Sequence, residues 1–380
     1  MKSRLFLGNF DFEHRLASPS HELPAPIKRL NAELASSWLA LAEEGDFIWT
    51  PQSIDQQFFL DAAAAGLAPV RAVTDLADVP TNVECVPWGW STDVRQLAER
   101  YGWTATAPAL AAVLHANSRA TSAELEQRWS VGLPGATRIE TLAELHDAIR
   151  RLLPSSERWV VKAEFGMSGR ERILGNGVAR PTDENWIRRR LASNGAVFFE
   201  PWVNRIDEVG IQIDVPRDGS PRLLGVAPML VDHRGQYAGS CFRCDESAQR
   251  SDAKLWQEAV STALRAATEL QSHGYFGPLG IDAMLYLAAD GTRQIRPLQD
   301  INARWTMGRL SLAWQRLLQP GESGVWQWGE AADLPPTANT SIVRSLQTTP
   351  AQVGGTRCGL KSRLLIFDRE QMSTDIGRID

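Results

Sequence analysis

The chain has 380 residues, 43% of them hydrophobic and 22% charged, with a formal net charge of −5. That length exceeds what one core holds and predicts two or three domains, while the acidic balance speaks against a nucleic-acid partner. The apolar run Leu5-Phe6-Leu7 is too short for a signal-peptide core and no segment reads as a bilayer span, so the expectation is a cytoplasmic protein with no membrane partner.

Residues 1 to about 112 alternate short apolar runs with helical stretches. Phe47 to Thr50 reads as a strand, and Ile54 to Ala65 as a helix stopped by Gly66. Asn82 to Pro87 reads as a further strand, after which Ser91 caps a helix over Asp93 to Tyr101. The alternation predicts a small α/β domain. Asn117 to Ser122 precedes a helix over Ala123 to Trp129, which the Leu133-Pro134-Gly135-Ala136 segment breaks. Thr141 with Glu144 three residues on is a capping box. Trp159 to Ala163 is a strand that runs into the glycine-rich loop Phe165 to Arg170, and Ala196 to Val203 is another strand. Val209 to Val215 and Leu223 to Leu230 pair across Pro216 to Ser220. A helix fills Asp252 to His273. Gly277 to Tyr286 then forms a hairpin with the strand around Arg296 to Trp305, through Asp290-Gly291. Beyond Gln319-Pro320-Gly321 the chain is turn-rich and yields no clear elements. Of four cysteines, Cys241 and Cys244 form a lone CxxC; without a second Cys/His pair it reads as reduced thiols rather than a zinc site.

Three stretches carry chemistry. In the hairpin, Asp300, Asn302 and Arg304 alternate with Ile301 and Ala303, so an extended strand would put the polar three on one face. Asp282 lies on the partner strand. Two carboxylates and an amide carbonyl suit Mg²⁺, a hard cation that keeps waters and shares phosphate oxygens, and Arg304 can meet a phosphate or carboxylate bidentately. In the loop, Lys162 ends a strand before Gly166, Ser168 and Gly169, where backbone N–H groups can approach phosphates. The order differs from a P-loop, in which the lysine follows the glycines. In the third stretch, Glu200-Pro201-Trp202-Val203 offers an adenine edge the Pro201 carbonyl and the Val203 N–H, with Glu208 placed to hold ribose hydroxyls and Asp207 competing for that role.

The order of these parts resembles the ATP-grasp superfamily over roughly residues 113 to 312. The resemblance implies an α/β fold: two lobes around a nucleotide cleft, residues 113–200 and 201–325, preceded by a pre-ATP-grasp-like domain over 1–112 and followed by an extension over 326–380. It implies that Lys162 and the Gly166 to Gly169 loop hold phosphates, that Glu200, Pro201 and Val203 form the adenine hinge, and that Glu208 is the ribose acid. It makes Asp282, Asp300 and Asn302 the metal ligands. Asp300 stands where the family commonly has glutamate, and Arg119 where it has its first nucleotide lysine.

The activity so implied is ATP-dependent and Mg²⁺-dependent ligation of a small carboxylate to an amine through an acyl phosphate, with Arg304 and Lys162 in catalytic roles. Such chemistry is mainly electrostatic and needs no side-chain nucleophile. An ATP-binding sensor or partner module without turnover, and a phosphotransferase on the same scaffold, are the alternatives.

Overall fold

The computed structural model describes residues 2–19, 23–153, 157–166, 171–231, 236–242, 253–330 and 342–368. The amino-terminal part is a parallel four-stranded sheet in the order β3-β2-β1-β4. Its strands are β1 (Arg4–Leu7), β2 (Phe47–Trp49), β3 (Arg71–Val73) and β4 (Glu84–Pro87). The short apolar run that fails as a signal peptide is thus the central strand. Leu5, Phe6 and Leu7 are each at most 1% exposed, because a parallel strand covered on both faces loses the usual alternation. The expected helix after Ser91 is present as Thr92–Tyr101, and Gly102 at φ +67° closes it.

The next sheet is antiparallel, in the order β5-β8-β6-β7, from β5 (Thr137–Ile139), β6 (Arg158–Lys162), β7 (Arg172–Asn176) and β8 (Val197–Pro201). Helices Leu142–Leu152 and Pro181–Asn194 supply Leu145, Ile149 and Ile187 to the core that buries Trp159 and Phe199. The Thr141 and Glu144 capping box is formed. The helix expected from Ala123 starts earlier, at Arg119, because the Ser118 side chain caps it by accepting from the Ala120 N–H.

An eight-stranded sheet follows in the order β13-β12-β9-β10-β11-β14-β18-β15. Its first members are β9 (Asn204–Val215), β10 (Arg222–Val231), β11 (Tyr237–Phe242), β12 (Gly277–Leu287) and β13 (Arg293–Asn302). The helix Ala253–Ser272 lays Ala259, Ala263, Ala266, Ala267 and Leu270, a stripe at helical spacing, against β9, β12 and β13. The region past Gln319 holds long strands, β14 (Glu322–Glu330), β15 (Ile342–Gln347) and β18 (Leu360–Asp368), with the small hairpin of β16 (Gln352–Val353) and β17 (Thr356–Arg357) between them. The expected boundary at 325/326 falls inside β14, and strands from both sides of it share one sheet. The sheet end also joins the amino-terminal domain: Trp38, Trp314, Trp326 and Leu364 lie in one core, and the Glu33 carboxylate accepts from the Gly359 and Leu360 N–H groups at 3.0 and 2.9 Å.

No helix among the described residues is long and apolar enough to cross a membrane. Cys85, Cys241 and Cys358 are buried free thiols, and burial pushes Cys85 up to about 12, which makes it inert; Cys244 of the CxxC lies outside the described residues.

Gly175 on β7 faces Trp159, whose ring would stand 2.0 Å from an added Cβ. Gly175→Ala is therefore expected to destabilise this lobe by about 1–3 kcal/mol, read from urea unfolding beside wild type.

Candidate active site

The hairpin of β12 and β13 turns at Asp290-Gly291, with Gly291 at φ +79°, a conformation that suits glycine. Its register sets Asp282 directly opposite Asp300 and Gly280 opposite Asn302. Residues directly opposite in a ladder point to the same side, so the two carboxylates share a face, while Ile281 and Ile301 bury in the helix-backed core on the other. Between Asp300 and Arg296, β13 carries two more residues than β12 does between Asp282 and Met284. An even insertion preserves the parity, and Pro297, which has no N–H to pair, sits within it.

The carboxylates are unequal. Burial, then the charges of Asp300 and Glu208, push the Asp282 carboxyl up to about 7, against a hydrogen bond from Asn302 and the charge of Arg304. Asn302 donates Nδ2 to Asp282 Oδ2 at 3.1 Å and accepts at Oδ1 from Arg304 Nη2 at 3.0 Å. Burial would raise Asp300 too, but Arg119 and Lys162 outweigh it and hold that carboxyl below its usual range. Arg119, first residue of its helix, donates Nε to the Ala163 carbonyl at 3.1 Å and pairs through Nη1 with Asp300.

Lys162 ends β6, buried, with Nζ 2.8 Å from Glu200 Oε2 on β8. Glu200 also meets Arg296 of β13, at 2.9 Å from Nη1 and 3.0 Å from Nη2. Arg296 then grips Glu126 with Nε at 2.6 Å and Nη2 at 2.8 Å. Burial alone would raise the Glu200 carboxyl; Arg296 and Lys162 instead hold it far below the normal range. For Glu126 burial wins over Arg296 and the carboxyl is raised. Neither Arg296 nor Glu126 stood out in the sequence. Arg296 shares the parity of Asp300 and Asn302, a usable signal, but Glu126 is one acid among several on its helix.

Among the other expected residues, Pro201 closes β8, and Val203 packs beside buried Leu133, Met284 and Tyr286, an apolar patch next to the hinge. Glu208 is buried on β9, opposite Met284, and is held by Gln299 Nε2 at 3.0 Å and Arg205 Nη1 at 3.2 Å. Strand alternation turns Asp207 to the other face. Gly166 is half-buried at the base of the loop, and Ser168 and Gly169 lie outside the described residues. Arg304 is engaged where the sequence left it free. Both its Nε and Nη2 stand 2.5 Å from Glu13 Oε1 of the amino-terminal domain, and its guanidinium covers the Trp88 ring.

Among the described residues no set of three or more His, Cys, Asp or Glu side chains is placed to hold a metal ion. What the hairpin offers is two carboxylates and one amide. The two carboxylates suit a hard cation that retains waters, while Asn302 turns its Nδ2 to Asp282 and its Oδ1 to Arg304; a carboxyl pushed up by burial and by acidic neighbours gains from a divalent charge beside it.

The raised Asp282 carboxyl has a testable consequence in the metal-free protein. Its folded pKa exceeds the unfolded one, so the stabilising proton is present below about pH 4 and lost as pH rises through about 7. Asp282→Asn should melt higher than wild type above pH 7, with the gap closing towards pH 4, as thermal melts across that range will show.

Neither a family model nor a curated protein matches the chain. Solved structures do. Over 89% of this chain and 91% of its own, an N5-carboxyaminoimidazole synthetase from Staphylococcus aureus, solved with ADP, superposes at 11% identity and a TM-score of 0.51. The biotin carboxylase domain of the Hydrogenobacter thermophilus 2-oxoglutarate carboxylase, solved with MgADP, ADP and bicarbonate, covers 97% of this chain and 87% of its own at 13% identity and a TM-score of 0.53. Pyruvate carboxylase from Rhizobium etli matches 75% of this chain, which spans only 28% of that longer one, at 16% identity and a TM-score of 0.49. The two likenesses with a TM-score above 0.5 show the ATP-grasp fold, and the fold alone.

Proposed function

We propose that the protein is an ATP-dependent, Mg²⁺-dependent ligase that joins a small carboxylate to an amine through an acyl phosphate. The observation that carries this reading is the register that opposes Asp282 to Asp300, on a face met from the other lobe by Arg119 and in electrostatic reach of Lys162. Cations from one lobe and acids from the other are what a triphosphate with its metal requires. Neighbours of the same fold, solved with ADP or MgADP, support a nucleotide in the cleft.

In this reading Glu200 to Val203 presents backbone groups to adenine against the Met284 and Tyr286 patch, and Glu208 takes the ribose hydroxyls. Lys162, Arg119 and the Gly166, Ser168 and Gly169 loop neutralise and cover the phosphates. Lys162 and Arg119 are already paired with acids, so nucleotide binding exchanges protein carboxylates for phosphate oxygens rather than recruiting free cations. Asp282, Asp300 and Asn302 hold Mg²⁺, which supplies charge neutralisation at the transferring phosphoryl group. Arg304 steadies the acyl phosphate from the Asn302 side. The loop excludes water, which would otherwise hydrolyse it. The contact of Arg119 with Asp300 also favours a second reading, a nucleotide-binding module without turnover, because a fixed cation already satisfies one metal ligand.

ATP titration of wild type, Lys162→Ala and Asp300→Ala, with and without Mg²⁺, tests the site. Wild type is expected to bind tighter with Mg²⁺, and each variant to lose at least about tenfold, or roughly 1.4 kcal/mol. Variants that bind like wild type would remove the assignment. ADP release on adding carboxylates and amines to the wild-type mixture separates ligase from sensor.

A further inference from the structure

Asn117, Ser118 and Arg119 read in the sequence as the lead-in to a helix, yet each is bonded to a residue distant along the chain. Asn117 grips Ala303, between Asn302 and Arg304: its Oδ1 accepts from the Ala303 N–H at 3.0 Å and its Nδ2 donates to the Ala303 carbonyl at 3.3 Å. Arg119 pairs through Nη1 with Asp300 of the hairpin and donates Nε to the Ala163 carbonyl at 3.1 Å, which fixes two of its three guanidinium nitrogens. Glu164, two residues past Lys162, stands against the same segment. Its backbone carbonyl accepts from the Arg119 N–H at 3.3 Å. Its carboxylate Oε1 accepts from the Ser118 hydroxyl and, at 3.4 Å, from the Ala120 N–H. Glu164 therefore holds the chain immediately before, at and immediately after Arg119.

Helix capping does not account for this acid. Ser118 Oγ already accepts from the Ala120 N–H at 3.1 Å and caps the helix by itself. What the carboxylate adds is location. An arginine has a long stem with much rotamer freedom, so its head stays in one place only where its backbone and its partners are both fixed. The Ala163 carbonyl can take Arg119 Nε only while residue 119 lies against the chain that leaves β6, and the contacts of Glu164 keep it there. We propose that Glu164 is a positioning residue for Arg119, holding its guanidinium where Asp300 and the phosphates of a nucleotide meet, a role that rests on the nucleotide site of the ligase reading and deepens it. Asn117 anchors the same segment to Ala303 independently, so loss of Glu164 frees Arg119 without releasing the end of the hairpin.

The full chain is titrated calorimetrically with MgATP and with adenosine, which lacks the phosphates. Glu164→Ala is expected to weaken MgATP by about fivefold and to leave adenosine unchanged. Glu164→Gln, whose amide oxygen can still accept from Ser118 and Ala120, should recover most of that loss. In an Arg119→Ala background, Glu164→Ala should cost nothing further. A loss that came from helix capping alone would fall on both probes and persist without Arg119. Wild-type MgATP affinity in Glu164→Ala, an equal loss for adenosine, or an undiminished loss in the Arg119→Ala background would overturn the proposal. A second cycle needs no nucleotide. Glu164 and Asp300 are joined through Arg119, so the shifts in urea midpoint of Glu164→Ala and Asp300→Ala should not add up in the double variant; additive shifts would overturn the proposal. If wild type binds no MgATP while the urea cycle shows coupling, the nucleotide reading fails and the placement of Arg119 by Glu164 stands.

Discussion

Arg296 is the residue on which the two lobes depend. Its guanidinium spends four contacts on two buried acids, Glu126 from the helix that opens the first lobe and Glu200 from the strand that ends it, while its own strand belongs to the large sheet. Lys162 completes the chain on the far side of Glu200. Desolvating so many charges is costly, and only near-ideal geometry compensates it. Loss of the central cation would strand two acids inside the protein, a penalty of about 3–5 kcal/mol in such networks. The same geometry fixes the distance across the cleft, so the network that joins the lobes also sets where Lys162 and Arg119 meet the hairpin acids.

The amino-terminal domain is part of that arrangement rather than an appendage. Its Glu33 caps backbone groups at the start of β18, and its Glu13 compensates Arg304 one guanidinium away from Asn302. Trp38, Trp88 and Phe10 pack as one aromatic cluster, with Trp88 under Arg304.

Much of this was legible in the sequence because it rests on local rules. The capping box at Thr141, the Asp290-Gly291 turn and the alternation around Ile301 act over a few residues and fold as they read. The β9 and β10 pair across Pro216 to Ser220 is of the same kind. What escaped was tertiary. Leu5-Phe6-Leu7 shows no alternation because both its faces are buried. The strands after Gln319 pair non-locally, β14 with β11 and β18, and β15 with β18, so no turn announces them. Arg304 reads as a free arginine in sequence because Glu13 lies 291 positions away along the chain. Buried charge partners are chosen by the fold, and a single sequence carries little trace of the choice.

The central claim is geometric: acids of the hairpin and cations of the first lobe face one another across a nucleotide cleft. A crystal structure with Mn²⁺ and a non-hydrolysable ATP analogue tests it directly. The account predicts an anomalous peak between Asp282 and Asp300, with the triphosphate against Lys162 and Arg119. A manganese ion bound away from both aspartates, or an analogue whose phosphates leave Lys162 on Glu200 and Arg119 on Asp300, would contradict it.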